Sequence, residues 1–320
     1  MKKELGIFIL LVVLCAVTTA LNPRFIGAAN LQNMARLIGM YGIFSLGIGL
    51  VIITGGIDLS VGSVLALLGV LLAIMLAEWH WSAPLAVAVI VLMGIVIGWF
   101  HGFLITKVKL QPFIVTLCGL LFYRGIARFI SHDETKGFRE ATGFESLRAL
   151  ATGDLLGIPM PFVLLVFISA IMWVVLHRSV YGRYLYAVGR NEEAARYSGI
   201  NAHRVLASVY IICSALTAIA SIILAFYTNS IAPSNHGNFY ELYGIAAAVL
   251  GGCSLRGGEG SIIGILIGTA LLRVLQNLII LLGIRSELEF AVMGAVILLG
   301  VMADQILKQR AVTRRPAVAA

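Results

Sequence analysis

Ten separate runs of apolar residues divide this chain, most of them near the twenty residues that an α-helix needs to cross the roughly 30 Å hydrocarbon core of a bilayer. They read as Leu5 to Leu21, Met34 to Thr54, Ser60 to Ala77, Ala83 to Ile105, Pro112 to Ile130, Pro161 to Leu176, Val205 to Thr228, Leu242 to Cys253, Ser261 to Leu282 and Phe290 to Leu307. The eighth, about a dozen residues long, is too short to span as a helix unless its ends are extended or it is re-entrant. Barrel strands would be shorter and would alternate apolar with polar residues. The expected class is therefore all-α, a polytopic membrane protein of about ten transmembrane helices, some short or broken. Only 12% of the 320 residues are charged, against about a quarter in soluble domains, and the mean hydropathy is +0.99. One membrane domain is expected, with no linker, low-complexity block or large soluble region.

Lys and Arg near the ends of spans orient them, because loops rich in these residues stay in the cytoplasm. The segment 178–204 holds five arginines, the tail after Leu307 holds Lys308, Arg310, Arg314 and Arg315, and the start holds Lys2 and Lys3. The loop 131–160 instead carries Asp133, Glu134, Glu140, Glu145 and Asp154 against Lys136, Arg139 and Arg148, which places it outside. Ten spans with both termini cytoplasmic satisfy every assignment. The expected division is a transmembrane domain over residues 1–307, with a cytoplasmic loop at 178–204 and an outer loop at 131–160, followed by a basic cytoplasmic tail at 308–320. The start has the basic head and apolar body of a signal peptide, but so many later spans favour an uncleaved first helix. The net charge of +8 belongs to loops facing an anionic leaflet, and no basic and aromatic interleaving points to nucleic acid.

Chemistry is sparse. Cys15, Cys118, Cys213 and Cys253 stand apart, without metal-ligand spacing, so no metal site is expected. No catalytic constellation is present, neither HExxH nor GxSxG, and His101 sits alone near the cytoplasmic end of its span. The stretch VIITGGIDLSVGSVLAL, Val51 to Leu67, is different, because an ionisable Asp58 inside an apolar context needs a reason. In one reading Asp58 or Ser60 caps the third span. In the other, Gly55 and Gly56 break a helix and leave Asp58, Ser60 and Ser63 beside a translocation path, since broken backbone at membrane depth must be covered by protein or water. GGCSLRGG, Gly251 to Gly258, repeats the pattern of Gly-Gly followed, after two residues, by Leu, and it ends on the same expected face. Glycines at intervals of four, Gly94, Gly98 and Gly102 and again Gly260, Gly264 and Gly268, are expected to let helices approach closely. In the ninth span Arg273, Gln276 and Asn277 share one helix face. Gln276 and Asn277 either line a wet cavity or serve as interhelical polar glue, and an acid such as Glu241 is one candidate partner for Arg273.

GRNEEAARYSGINAHR, Gly189 to Arg204, lies in the basic loop. Asn191 can cap a short helix whose first turn holds Glu192 and Glu193, and Gly199 can end it. Glu193, Ala194 and Ala195 followed by Gly199 resemble the coupling motif of ATP-binding-cassette importer permeases. NEEAARYSGIN, with GGIDLSVGS before it and AAVLGGCSLRGGEGSIIG after it, resembles the ribose-type branch of monosaccharide permeases from about Asn22 to Asp304. The resemblance implies that Asn191, Glu192, Glu193, Ala194, Ala195, Arg196, Ser198, Gly199 and Asn201 couple this chain to an ATPase. It also implies pairing with a second copy or a paralogue in a bacterial inner membrane, ATPase subunits inside and a solute-binding protein outside. No GxxxxGK[ST] phosphate loop occurs, so no cofactor is expected on this chain, and ATP and Mg²⁺ would belong to the partner. The implied solute is a ribose-like sugar. A nucleoside, a sugar-like signal or a branched-chain amino acid stays open, as does a secondary transporter using Asp58 as its proton-coupling carboxylate.

Overall fold

The computed structural model describes residues 2–139 and 141–285, and beyond them positions 288, 291–295, 298 and 302. The expected tenth span, Phe290 to Leu307, and the tail 308–320 lie outside the described residues apart from those positions. The helices are α1 (Lys2–Leu21), α2 (Ala28–Ile53), α3 (Val61–Ala77), α4 (Ala83–Thr106), α5 (Pro112–Ile130), α6 (Glu145–Thr152), α7 (Met160–His177), α8 (Val180–Arg190), α9 (Glu192–Tyr197), α10 (Ala202–Thr228), α11 (Tyr240–Leu250) and α12 (Ile262–Leu281). Among the described residues seven helices are long and apolar enough to cross a membrane, and α3 and α11 are shorter apolar helices. The architecture is thus all-helical and polytopic. Each of the first nine expected spans has a helix.

Two differences from the sequence reading have local causes. α2 begins six residues before Met34, because polar Asn30 and Arg36 in its first turns find partners on other elements: Asn277 at 2.8–3.0 Å and Asp154 at 3.2 Å. The loop 178–204 holds two helices rather than one. Ser179 starts α8 by accepting a hydrogen bond from the Gly182 N–H at 3.1 Å, and Asn191 both ends α8 and caps α9.

α3 is apolar all round and buried nearly along its whole length, as a helix enclosed by others must be. It packs on α5, α10 and α4. α4 lies closest to α10. A Cβ on Gly94 would meet Ala218 and Ser214, one on Gly98 the backbone of Tyr210 and Ile211, and one on Gly102 that of Ala207. Lipid is as apolar as leucine, so close backbone approach of this kind replaces the hydrophobic drive that packs helices in water. α1 leaves Leu5, Phe8, Ile9, Leu10, Val12 and Val13 exposed and rests on α12, as a lipid-facing helix would.

The loop 131–160 is built rather than slack. β1 (Lys136–Gly137) pairs antiparallel with β4 (Ser230–Ile231), and β2 (Asp154–Leu155) pairs with β3 (Ile158–Pro159). Lys136 Nζ reaches Glu78 at 2.9 Å. Asp133 accepts from Arg128 Nε and Nη2 at 2.9 and 2.7 Å and from Ser234 Oγ at 2.5 Å. The hydrogen bonds from Arg128, then from Ser234, hold its carboxyl down at about 2. After β4 the chain turns inward. Gly69 of α3 faces Ile231 and Gly62 faces Gly237, so the loop 232–239 descends along seven residues of α3, about 10 Å at 1.5 Å per residue. α11 then continues for 11 residues, about 16 Å, which explains why the eighth apolar run is too short to cross alone.

Candidate functional site

The short helix at Asn191 forms as its sequence dictates. Asn191 Oδ1 accepts from the Ala194 N–H at 2.9 Å, and Glu192 and Glu193 occupy the first turn, where the helix dipole favours acids. At the other end Gly199 takes φ +82°, its N–H donates to Arg196 O, and the Ile200 N–H donates to Ala195 O at 3.1 Å. This pair of bonds is the Schellman closure, which glycine permits without a Cβ penalty. Of residues 191–199 only Ala195 is buried, and Tyr197 is 84% exposed. Ser198 Oγ donates back to Ala194 O, and Asn201 Oδ1 accepts from the Arg204 N–H to start α10. The structure therefore brings Asn191, Glu192, Glu193, Ala194, Arg196, Ser198 and Gly199 onto one uncovered knob.

The break after α2 closes in the same way. Gly55 has φ +80°, its N–H donates to Ile52 O at 2.9 Å, and the Gly56 N–H donates to Val51 O at 3.0 Å. A Cβ at Gly56 would sit 2.6 Å from the Tyr210 hydroxyl. Asp58 Oδ1 then accepts from both the N–H and the hydroxyl of Ser60, at 2.9 and 2.7 Å, and Ser63 Oγ donates to Ser60 O at 2.7 Å. Ser60 occupies the cap position of α3 with a helical backbone, φ −84° and ψ −14°, and makes no side-chain cap bond; its hydroxyl donates to Asp58 instead. Asp58, Ser60 and Ser63 are each 1% exposed, so in this conformation they are packed in protein rather than wet. His101 is buried within the protein. It is 1% exposed and hydrogen-bonds Tyr123 at 3.0 Å.

The two glycine-rich stretches meet. The Gly258 N–H donates to Ile53 O at 2.8 Å, and Gly257 packs on Gly55. Gly189, at the end of α8, seals this junction against Ile53 O and the Gly258 N–H. Tyr186 of α8 adds a 2.7 Å bond to Gly260 O, and burial pushes its hydroxyl up to about 12, so it remains a donor. The knob is thereby tied through one short rigid helix to the point where α2 breaks.

The polar face of α12 divides. Asn277 exchanges amide hydrogen bonds with Asn30 at 2.8 and 3.0 Å, holding α12 to α2, while Gln276 is half-buried. Arg273 does not turn to Glu241. Its guanidinium stacks on Tyr41 at 3.6 Å and lies 5.3 Å from Tyr243, a cation–π arrangement suited to a buried arginine. Glu241 lies instead against the backbone of Gly62, at the start of α3, and within the field of Arg124. Sequence reasoning passed over Arg124 and considered Glu241 only as a partner for Arg273, although an ionisable residue inside an apolar run is itself a signal. Among the described residues no group of three or more His, Cys, Asp or Glu is placed to hold a metal ion.

The model of the family described as branched-chain amino acid transport system / permease component matches residues 30–301. The chain is similar to the ribose import permease protein RbsC of Bacillus subtilis (strain 168), 40% identical over 95% of this chain and 93% of that one. It is 40% identical to RbsC of Escherichia coli (strain K12), over 92% of each chain, and 31% identical to the xylose transport system permease protein XylH of the same organism, over 96% and 93%. No solved structure matches. Seven apolar helices together with import-permease relatives make this a multi-pass protein of the inner membrane. Matched by the family model across both the glycine junction and the capped helix α9, the chain belongs to the family of branched-chain amino acid transport system permease components.

Proposed function

We propose that this chain is the membrane subunit of an ATP-binding-cassette importer for a monosaccharide, ribose-like in kind. It has ten spans and cytoplasmic termini, and it works as one of two permease copies or paralogues. Partner ATPase subunits hold the ATP and Mg²⁺, and an extracytoplasmic binding protein supplies the sugar. The observation that carries this reading is the uncovered α9, capped at both ends and joined by α8 to the glycine junction. A cleft on an ATPase that grips α9 would move α8 as a lever. Gly189 would then displace the end of α2 against the 251–258 loop, and the break at Gly55 to Ser60 would act as the hinge. Relatives that import ribose and xylose support a sugar as the cargo.

Gentle purification from native membranes should bring down a P-loop ATPase in near-equal amount. Glu193→Lys or Gly199→Asp should lose it and uncouple uptake while the protein remains inserted. Normal uptake in both variants would sink the coupling assignment.

Asp58 separates this reading from proton-coupled transport. Its bonded oxygen survives in Asp58→Asn, so uptake and thermal stability in detergent should stay near wild type. Asp58→Ala removes the acceptor of two buried bonds and should cost about 1–3 kcal/mol. A stable Asp58→Asn protein without uptake would favour the proton carrier instead.

A further inference from the structure

A cavity of about 300 Å³ lies between α5 and the descending loop 232–239, walled by Arg124, Arg128, Ser234, Asn238, Phe239 and Glu241. That volume is at the small end of ligand pockets, roughly 300–1,000 Å³. None of these residues belongs to the coupling helix or to the α2 break.

The charges in the wall are already matched. Arg124 Nη1 donates to Pro233 O and His236 O, both at 2.7 Å, and Arg124 feels the carboxylate of Glu241. Arg128 is paired with Asp133. Two cations set against two anions leave no net field to select an anion or to hold the ammonium of an amino acid. What the wall offers is hydrogen-bonding capacity: the Ser234 hydroxyl, the Asn238 amide, the Glu241 carboxylate and the guanidinium edges.

Beside these groups stands Phe239, about half exposed and held at φ +64°, where a bulky residue is an outlier. Asn238 Nδ2 bonds Ser234 O at 2.8 Å and firms the loop beneath it. An aromatic face beside neutralised polar groups matches a ring with apolar C–H faces and a rim of hydroxyls. The same loop rests on Gly62, so an occupant would sit on the segment that joins the outer face to the start of α3.

We infer that this cavity is an outward-facing subsite for a neutral polyhydroxylated ligand of monosaccharide size, a reading that rests on the transport function proposed above. The ligand's ring lies on Phe239, and its hydroxyls are shared among Asn238, Ser234 and Glu241. Selection against charged solutes follows from the internal charge matching rather than from repulsion.

The test uses Asn238→Cys in a Cys118→Ser background, because Cys118 is exposed. A methanethiosulfonate reagent labels the purified full chain in lipid nanodiscs, with D-ribose or L-leucine as the probe. Labelling should slow about threefold when ribose reaches twice its dissociation constant, and leucine should leave it unchanged. Ser234→Cys, run in parallel, guards against a variant that fails to fold. In proteoliposomes carrying the whole transporter, Phe239→Ala should lower ribose uptake about tenfold, as loss of one aromatic contact does, with the ATPase still bound. Labelling indifferent to ribose at both positions, or slowed by leucine instead, overturns the subsite. So does unchanged uptake in Phe239→Ala. The labelling needs no ATPase, so its failure is distinct from failure to recover an ATPase with the wild-type chain.

Discussion

Gly189→Val should abolish transport while leaving α9 exposed and able to dock. Even the first carbon of a side chain at Gly189 would overlap Ile53 O and lie 2.7 Å from the Gly258 N–H. Both neighbours are backbone, and Ile53 O already accepts the Gly258 N–H at 2.8 Å, so neither can yield as a flexible side chain could. The valine must push α8 off the junction, at a cost of about 3 kcal/mol or more. A lever detached from its load no longer transmits ATPase closure. Gly199→Ala is the contrast: it has open space around it, and its penalty is the positive φ alone, about 1 kcal/mol. Measured in proteoliposomes, Gly189→Val should retain the ATPase partner and lose uptake. Gly199→Ala should keep most of both. Uptake at the wild-type rate in Gly189→Val would break the proposed link between α9 and the α2 break.

How much of this was legible beforehand depended on how local each feature is. Helix ends written in one short stretch were readable: Asn191 as a cap, Gly199 as a stop and the break at Gly55 and Gly56 all depend on residues within one turn. The hint of kinship between the two glycine-rich stretches came from their shared order of Gly-Gly followed, after two residues, by Leu, but their contact could not, since Ile53 and Gly258 are 205 residues apart and only the fold joins them. Partners of buried polar groups were the least legible. Asn277 went to Asn30, Arg273 to the rings of Tyr41 and Tyr243, and His101 to Tyr123, because a helix face says that a group is buried but not which helix covers it. The short eighth run was correctly suspect by its length. The loop 232–239 that runs along α3 ahead of it gave no hydropathy signal, because its residues are mostly polar.

That loop explains why removal of the Arg124 side chain should be costly. A loop descending among helices carries backbone carbonyls away from water, and each needs a donor. Arg124 Nη1 supplies two of them, Pro233 O and His236 O, with charge-assisted bonds of 2.7 Å. The loop then places Gly237 against Gly62 so closely that either glycine, given a Cβ, would strike the other's carbonyl oxygen. Arg124→Leu keeps the apolar character of α5 but strands both carbonyls and leaves Glu241 without its cation. The loss is about 2–3 kcal/mol, discounted because the arginine is only partly buried. The loop should then lift from α3 before the helices themselves separate. Hydrogen exchange of residues 232–239 should accelerate at least about thirtyfold, the equivalent of 2 kcal/mol in a local opening equilibrium, with α2 and α10 protected as before. Uptake should fall with it, because α11 starts from this loop and packs on α2 at Phe44 and Ile48. Arg124→Lys, a single point charge without the planar fork, should recover only part of the protection. Unchanged exchange in Arg124→Leu would mean that the Gly62 to Gly237 contact alone holds the loop down.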